Sequence, residues 1–347
     1  MSKVNRDINR LFEALDPTDE QKNKMLARLM RQNQNQNNAA RSRGIFVNAK
    51  RLRPAIWVAV IMAFLTTTGF AAAYLGLDEG FLKFLKPANH EQAKYLSNGA
   101  YVINKRVTNK QGTLTIKQVI GNSNLTYILM DFTAPKGTVL DAARYRFLEN
   151  DMTIKESYRS TGYEVVPNEN RAENTISLVM TIVTKNVIAG QNIHFKLKDL
   201  QAAEPYPGEY KTIISGDWET DFKLDFKDYS TQYEVNKAVS MFGYRAILKT
   251  ISVSPISIAL VVESRNMKEI DKAAGPLKEV GPNQSLDYYP ITIKYQDGTS
   301  ETTDLLKGIH LTENGTQLFT VKTFEQVIND KTIASIVFFD REIPINN

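Results

Sequence analysis

The fold class is decided by the stretch WETDFKLDFK, which runs from Trp218 to Lys227. Uncharged residues, nearly all of them large and apolar, alternate with charged residues along its whole length. Because successive side chains of a β-strand point to opposite faces of a sheet, this alternation predicts a strand with one face in a hydrophobic core and the other in water. Asp221 and Asp225 then lie on a solvent-exposed face among lysines, which is not the setting of a catalytic carboxylate pair.

A period of two without charges is found at 125–130, where Leu125, Tyr127 and Leu129 alternate with Thr126, Ile128 and Met130, and at Ile176–Ile182, which predicts further half-buried strands. The pairs Asp297-Gly298 and Asn314-Gly315 favour tight hairpin turns, and Pro255 marks a bulge, a sheet edge or a change of strand. Many short strands with frequent turns predict a mainly β fold with two immunoglobulin-like β-sandwich domains. We place their boundary in the turn-rich stretch 202–208, which gives domains at 99–205 and 206–347.

Residues 55–77 read AIWVAVIMAFLTTTGFAAAYLGL and contain no charge. A helix needs about 20 apolar residues to cross a bilayer, so this length predicts one transmembrane helix over residues 54–77. Basic residues precede the segment and acidic ones follow it, which puts the N-terminus in the cytoplasm and the C-terminus outside the cell membrane. A buried globular helix and a cleaved signal peptide are the alternatives, but a signal peptide does not begin with some fifty residues that contain helices of their own.

The net charge of +5 divides unevenly at this segment. Residues 1–53 hold 12 basic and 5 acidic side chains, whereas residues 78–347 hold 31 basic and 33 acidic ones. The basic excess is therefore confined to the predicted cytoplasmic part, where it suits membrane orientation and attraction to the anionic headgroups of the lipid bilayer. No recognition motif for nucleic acid accompanies it, so a nucleic-acid partner is not expected.

Two short amphipathic helices are predicted in the cytoplasmic tail, residues 1–53. Their apolar faces carry Ile8, Leu11, Phe12 and Leu15 in the first helix and Met25, Leu26 and Leu29 in the second. Asp16-Pro17 separates the helices, and Thr18 with Gln21 forms a capping box for the second. Two such helices cannot form a stable domain alone, so their faces pack on each other, on a lipid surface or on a cytoplasmic partner.

Small residues recur at every fourth position of the predicted span, at Ala55, Ala59, Ala63, Thr67 and Ala71. Such a stripe lets two helix backbones approach closely in lipid, which predicts a homodimer through the membrane helix. Alanine is common in membrane helices, so a chance arrangement is the alternative.

Residues 78–98 are interpreted as a juxtamembrane linker between the span and the outer β domains. The linker contains an apolar patch, Phe81-Leu82-Lys83-Phe84-Leu85. This patch is predicted to rest on the membrane surface before the chain leaves it.

No recognisable catalytic motif is found in the sequence. The chain has no cysteine, which excludes disulfides, thiolate zinc sites and a cysteine nucleophile, and its three histidines lack metal-ligand spacing. There is no Gly-x-Ser-x-Gly elbow, no phosphate-binding loop and no His-Glu-x-x-His helix. His194, between Ile193 and Phe195, is predicted to be a cross-strand or surface residue. We therefore predict a protein that is not an enzyme, with no cofactor and no metal site.

Residues 10–26, RLFEALDPTDEQKNKML, resemble the N-terminal segment of small membrane proteins of Gram-positive bacteria. Those proteins are often encoded beside extracytoplasmic-function sigma factors and are regarded as anti-sigma-factor-like regulators with an uncharacterised β-rich outer domain. The fragments 216–218, 252–256 and 343–345 are also similar to their outer parts. The tail lacks the His-x-x-x-Cys-x-x-Cys motif of the zinc-binding anti-sigma class, so the resemblance implies a zinc-independent contact.

The resemblance and the predicted topology together imply a signalling function. The outer β domains are expected to sense a signal at the cell envelope, and residues 1–32 are expected to bind an extracytoplasmic-function sigma factor through their apolar faces. One alternative is a structural or adhesive cell-surface protein whose tail is only an anchor. Another is an outer-surface hydrolase without a recognisable motif.

Overall fold

The structure is a computed structural model that describes residues 76–154, 159–167, 173–203, 209–274, 289–304, 310–311, 315–324, 327–328 and 332–345. Three helices are described, α1 (Glu79–Leu85), α2 (His90–Gly99) and α3 (Met267–Ala274). The first eight strands are β1 (Tyr101–Asn109), β2 (Gly112–Gly121), β3 (Leu125–Thr133), β4 (Tyr145–Met152), β5 (Arg159–Val166), β6 (Thr175–Thr184), β7 (Asn192–Ala203) and β8 (Tyr210–Lys223). The other strands are β9 (Thr231–Met241), β10 (Tyr244–Val253), β11 (Ser257–Glu263), β12 (Pro290–Tyr295), β13 (Ser300–Asp304), β14 (His310–Leu311), β15 (Gln317–Thr323), β16 (Ile333–Phe338) and β17 (Arg341–Pro344).

The protein is mainly β in these residues, as predicted. The predicted cytoplasmic helices, and all but the last two residues of the predicted span, lie outside the described residues. Among the residues that are described, none belongs to a helix with the length and apolar character needed to cross a bilayer.

The strands form four antiparallel sheets. The strand order is β1-β2-β3-β6-β5 in the first sheet and β4-β7-β8 in the second sheet. The order is β14-β15-β11-β10-β9 in the third sheet and β13-β12-β16-β17 in the fourth sheet. We call the first two sheets the N-terminal half and the last two sheets the C-terminal half.

The first hydrophobic core lies between the first and second sheets. Near its centre Trp218 is 0% exposed, and the rings of Phe132 and Phe147 lie edge-on to it at centroid distances of 4.9 and 5.9 Å. The apolar residues that the alternation around Trp218 predicted to face inward are buried, and the charged residues between them are exposed. The strand pattern of this stretch is therefore confirmed, although β8 itself ends at Lys223.

Strand β8 begins shortly after the turn-rich stretch 202–208, in which the sequence predicted a domain boundary. It pairs with β7 from Asn192–Lys223 to Ala203–Tyr210, and Phe226 still packs in the first core. The division at 205/206 therefore falls inside the N-terminal half. The turn-rich stretch joins two long paired strands. Turn residues have the same composition whether they join two strands or two domains, so composition alone does not distinguish the two cases.

Two further cores complete the packing. The second core lies between the third and fourth sheets and takes in the buried side chains of Met267 and Ile270 from α3. The third core joins the halves, because it contains residues of α1, α2, the first sheet and the third sheet. Strands β3 and β6 are consequently buried on both faces. The sequence predicted them to be half buried, but one face of each strand packs in the first core and the other face packs in the third core.

The two halves repeat one strand order. Replacing β1, β2, β3, β5 and β6 by β9, β10, β11, β14 and β15 converts the order of the first sheet into that of the third. In the same way, β4-β7-β8 corresponds to β12-β16-β17, and the fourth sheet has β13 as an additional edge strand. The first strands also match in sequence, since YVINKRVT at 101–108 aligns with YEVNKAVS at 233–240. The matching residues Asn104 and Asn236 both adopt the left-handed backbone conformation, with φ of 49° and 48°.

The predicted turns have different outcomes. Asp297-Gly298 lies in the hairpin between β12 and β13, as predicted, and Gly298 has a φ of 86°, where a side chain would add strain. Pro255 lies between β10 and β11, so the structure contains a change of strand there. Asn314 lies outside the described residues.

Replacing Trp218 by alanine is expected to lower the free energy of unfolding by about 3–5 kcal/mol, because it leaves a large cavity in the first core. Chemical unfolding followed by circular dichroism measures the loss. The neighbouring Glu219→Ala variant removes an exposed side chain of the same strand and is expected to change the free energy by about 0.5 kcal/mol or less. Equal losses in the two variants would show that Trp218 does not hold this core together.

Candidate functional site at the start of the β region

The candidate site lies where the described chain begins, directly after the predicted span. Leu77 is 7% exposed and packs in the third core. Asp78 is the N-cap of α1, and its Oδ1 accepts a hydrogen bond of 2.8 Å from the backbone N–H of Gly80. A carboxylate at the N-cap satisfies an otherwise unpaired amide and is favoured by the positive end of the helix. The chain is thus fixed from Asp78 onwards.

Gln118 of β2 holds the backbone on both sides of Leu77. Its Oε1 accepts a hydrogen bond of 2.8 Å from the N–H of Asp78, and its Nε2 donates to the carbonyl oxygen of Gly76. Gln118 itself is only 2% exposed, so its amide has no water to take the place of these two backbone groups, although Gly76 is exposed. A buried polar group that loses its partner costs about 1–3 kcal/mol, which makes this amide a strong constraint on the chain.

Lys117, the neighbour of Gln118, holds the side chain of Asp78. Its Nζ lies 2.9 Å from Oδ1 and 2.8 Å from Oδ2 of Asp78, and 3.5 Å from Oδ2 of Asp131 on β3. Ser177 fixes Asp131 in turn by donating a hydrogen bond of 2.7 Å to Oδ1. Burial alone would lower the pKa of Lys117, but the bond to Asp78 and the charge of Asp131 outweigh it and raise the pKa above its usual value. We call Asp78, Lys117, Gln118 and Asp131 the N-terminal clamp.

A β-bulge brings Lys117 and Gln118 to the same face of the first sheet. Strand β2 pairs with β3 through Ile116–Met130 and Gln118–Leu129, which leaves Lys117 as an extra residue. Neighbouring residues of a regular strand point to opposite faces, but an extra residue shifts the alternation by one. Both side chains therefore reach the chain at Asp78.

Helix α1 covers the apolar outer face of the first sheet. Phe81 and Leu85 are buried in the third core, and Gly80 lies so close to Leu129 that a Cβ atom there would come within 2.9 Å of Leu129 Cδ1. The patch that was predicted to rest on the membrane surface packs on protein instead, because the sheet offers an apolar surface closer by. The predicted linker at 78–98 likewise forms α1 and most of α2.

A buried polar contact fixes the two halves against each other beside α2. Asn122, which follows β2, donates hydrogen bonds of 2.6 Å to Ser254 Oγ and 2.8 Å to Ser257 Oγ in the C-terminal half. All three side chains are buried. Buried polar groups are costly when a partner moves away, so these bonds fix the position of the turn between β10 and β11.

The exposed face of the second sheet carries cross-strand ion pairs. His194 on β7 lies opposite Asp221 on β8, with Nδ1 2.9 Å from Oδ1, and its Nε2 lies 3.2 Å from Oε1 of Glu219. This confirms a cross-strand position for His194 and a solvent-exposed position for Asp221. The hydrogen bond with Asp221 raises the pKa of His194, desolvation of the ring opposes the rise, and the charge of Glu219 adds to it.

The other predicted site residues lie outside the described residues. They are the apolar faces of the tail helices, from Ile8 to Leu29, and the small-residue stripe from Ala55 to Ala71. Within the described ranges, no three His, Asp or Glu side chains are grouped as metal ligands would be.

The sequence analysis did not predict the N-terminal clamp. The signal that could have indicated it is the polar pair Lys117-Gln118 between Ile116 and Val119, in the middle of an apolar strand. Two neighbouring polar residues break a period of two, which is what a bulge in the strand produces.

Comparisons with known proteins do not identify a family for this chain. No protein-family model matches the chain, and no curated protein matches it. One solved structure that is similar is described as the crystal structure of the conserved domain protein from Bacillus anthracis. It has 14% sequence identity, a TM-score of 0.47, and coverage of 78% of this chain and 83% of that one.

Replacing Gln118 by leucine is expected to weaken the attachment of residues 76–86 by about 1–3 kcal/mol, because the carbonyl of Gly76 and the N–H of Asp78 both lose a hydrogen-bond partner. Hydrogen–deuterium exchange of these residues measures the attachment directly. The matched control is Gln232→Leu, since that side chain is exposed and donates a hydrogen bond to its near neighbour Glu234. Unchanged exchange in Gln118→Leu would contradict the assigned role of the amide.

Replacing Asp221 by asparagine is expected to lower the pKa of His194 towards its usual value, because the partner charge is removed. The pKa is higher in the folded than in the unfolded protein, so protonated His194 stabilises the fold at low pH, and this contribution is lost as the pH rises through the folded-state pKa. An NMR titration of the imidazole measures the shift, with His194→Gln to assign the signal. Asp225→Asn, whose carboxylate pairs with Lys223, is the control, and an equal effect of both variants would refute the pairing.

Proposed function

We propose that the protein is a single-pass membrane signalling protein of the anti-sigma-factor-like kind, with a cytoplasmic N-terminus and a β region outside the cell. The β region would sense a signal at the cell envelope, and residues 1–32 would restrain an extracytoplasmic-function sigma factor. The observation that carries the proposal is the N-terminal clamp. It attaches the first residues after the predicted span directly to the β region.

A direct attachment suits the transmission of a signal by movement of a rigid body. Leu77 is the last residue of the predicted span, and Asp78, the next residue, is already bound by Gln118 and Lys117. A displacement of the first sheet would therefore reach the end of the span without passing through a flexible linker. A protein that only adheres to a surface needs a tether, and a flexible linker would serve it equally well.

The proposed sensor consists of two immunoglobulin-like β-sandwich domains. Two features support this interpretation. Each half has its own hydrophobic core between two antiparallel sheets, and the two halves share one strand order. On this interpretation the first domain extends to about residue 226, because Phe226 packs in the first core.

The proposed contact in the cytoplasm relies on apolar side chains alone. The tail contains neither His nor Cys, so a bound zinc ion cannot organise it. The affinity then has to come from burying the apolar faces around Leu11, Phe12 and Leu29 against the partner, as in other interfaces with a few dominant anchor residues. We propose no catalytic role for any residue.

The test is co-purification of the full-length chain with the sigma factors of the cell that produces it. Changing Leu11, Phe12 and Leu29 together to serine is expected to reduce sigma-factor retention by about tenfold or more, because buried anchor residues each contribute over 1 kcal/mol. Expression from a sigma-dependent promoter is expected to rise in parallel. The matched control changes Asn33, Asn35 and Asn37 to serine in the polar tract that follows the helices.

Two outcomes would overturn the proposal. Sigma-factor retention that survives the triple serine variant would exclude binding through the apolar faces. Failure of the unmodified chain to retain any sigma factor, with promoter activity unchanged in all variants, would favour a structural or adhesive protein whose tail is only an anchor.

A further inference from the structure

A groove lies between strands β1 and β8, at one side of the first core. Strand β1 is an edge strand of the first sheet, and β8 is an edge strand of the second sheet. At one end Asn109 joins the two strands by donating a hydrogen bond of 2.8 Å to the carbonyl oxygen of Asp217. At the other end the N–H of Lys227 donates a hydrogen bond of 3.0 Å to the carbonyl oxygen of Gly99. Between these two contacts the strands leave a groove of about 320 Å³.

The opposite side of the same two sheets is closed by side chains. The edge strands there are β5 of the first sheet and β4 of the second sheet. Arg159 on β5 donates hydrogen bonds of 3.2 and 2.9 Å to the carbonyl oxygens of Met152 and Asn150 on β4. The side-chain amide of Asn150 donates a further bond of 3.2 Å to the hydroxyl of Thr161. The groove at β1 and β8 is therefore a local feature and does not follow from the general spacing of two packed sheets.

The floor of the groove is apolar and aromatic. It is formed by Tyr101 and Ile103 of β1 and by Phe222 of β8. Phe222 is 7% exposed, and its ring lies edge-on to that of Phe195 in the first core at a centroid distance of 5.5 Å. Tyr101 and Ile103 are half-buried and pack against the same core. The core thus supports an aromatic floor that is partly open to the groove.

The rim of the groove carries both charges and an amide. Its exposed residues are Lys105, Asn192, Asp221 and Lys223. Neighbouring side chains hold two of them: His194 Nδ1 lies 2.9 Å from Oδ1 of Asp221, and Asp225 Oδ1 lies 2.9 Å from Nζ of Lys223. A sugar hydroxyl both donates and accepts hydrogen bonds, so it can pair with each of these group types. A ligand of one charge sign would meet a like charge on this rim.

Strand β1 does not offer the groove a regular edge for an added β-strand. Its pairing with β2 shifts register between Val102 and Lys105, so that Ile103 and Asn104 form a bulge. Asn104 has a φ of 49°, which is left-handed rather than extended. A bulge interrupts the row of backbone N–H and carbonyl groups with which an extended peptide would pair. The groove therefore presents the side chains of β1 to a ligand.

We propose that this groove binds an oligosaccharide, with a sugar ring packed on Tyr101 and its hydroxyls hydrogen-bonded to Asn192 and Asp221. Its volume of about 320 Å³ lies within the usual range of ligand pockets, roughly 300–1,000 Å³. From Tyr101 to Lys105 the groove follows about 10–13 Å of strand, which is longer than one sugar ring. The face of a sugar ring is rich in C–H groups, which pack on the electron-rich face of an aromatic ring. The inference rests on the proposed function in placing the groove outside the cell, and it names the class of signal that the β region would sense.

The probe is the β-1,4-linked tetramer of N-acetylglucosamine, which carries hydroxyl and amide groups. Isothermal titration calorimetry is performed on the full-length chain in a detergent without a sugar headgroup, because such a headgroup would compete. We expect saturable binding that Tyr101→Ala weakens by about fivefold or more, whereas Tyr101→Phe keeps the ring and changes the affinity by about twofold or less. Tyr210→Ala removes a half-buried tyrosine from the other end of β8. This matched control should leave the affinity unchanged.

Asn192→Ala is the second variant, because this exposed residue at the start of β7 can be replaced even if Tyr101→Ala does not fold. It is expected to weaken binding by about threefold or more. The proposal is overturned if the unmodified chain does not bind the tetramer, if Tyr101→Ala and Tyr210→Ala bind it equally well, or if Asn192→Ala binds as tightly as the unmodified chain. Sigma-factor retention without saccharide should be unchanged in all these variants, so failure of saccharide binding is distinguishable from failure of the proposed function.

Discussion

Burial of the outer face of the first sheet is the interaction on which the rest of the structure depends. That face presents Leu125, Tyr127 and Leu129 from β3 and Val179 and Val183 from β6, all buried in the third core. Burying one large aliphatic side chain contributes about 1.5–3 kcal/mol, so exposing this face would be very unfavourable. Helices α1 and α2 cover it together with β11 and β15 of the third sheet. The two halves consequently form one continuous packing unit around three cores.

The hydrophobic effect attracts α1 to this face but does not fix its position along the strands, because apolar contacts have little directionality. The N-terminal clamp supplies the missing specificity. Gln118 can satisfy the carbonyl of Gly76 and the N–H of Asp78 in one register only, and Lys117 needs the carboxylate of Asp78 within reach. Hydrogen bonds and ion pairs that contribute little to overall stability thus determine the position of a helix that is held mainly by hydrophobic packing.

The sequence analysis predicted strands correctly where one face of the strand packs in a core and the other face is exposed to solvent. The strand at Trp218 is the best example, since its apolar face meets the first core and its charged face carries the ion pairs of His194 and Asp221. Prediction was incomplete for β3 and β6, because the third core that covers their second face arises from tertiary packing. The predicted domain boundary lies in a turn-rich stretch between the paired strands β7 and β8, and such a stretch has the same composition as a linker.

Two signals of the candidate site were present in the sequence and were not used. The first is the match between YVINKRVT and YEVNKAVS, 132 positions apart, which indicates that the two halves repeat one strand order. The second is the polar pair Lys117-Gln118 within an apolar strand. Neither indicates by itself which residue the clamp holds, because Asp78 lies 39 positions from Lys117 and reaches it only through the folding back of α1.

The chain that precedes the first strand differs between the two halves. Ahead of β1 lie α1 and α2, 21 residues from Glu79 to Gly99, which are long enough to fold back over the first sheet. Ahead of β9 only residues 224–230 follow β8, and Leu224 and Phe226 are buried in the first core. None of these seven residues is helical. The shared strand order is therefore entered through two different connections, and only the N-terminal one carries apolar helices that cover the outer face of its own sheet among the described residues.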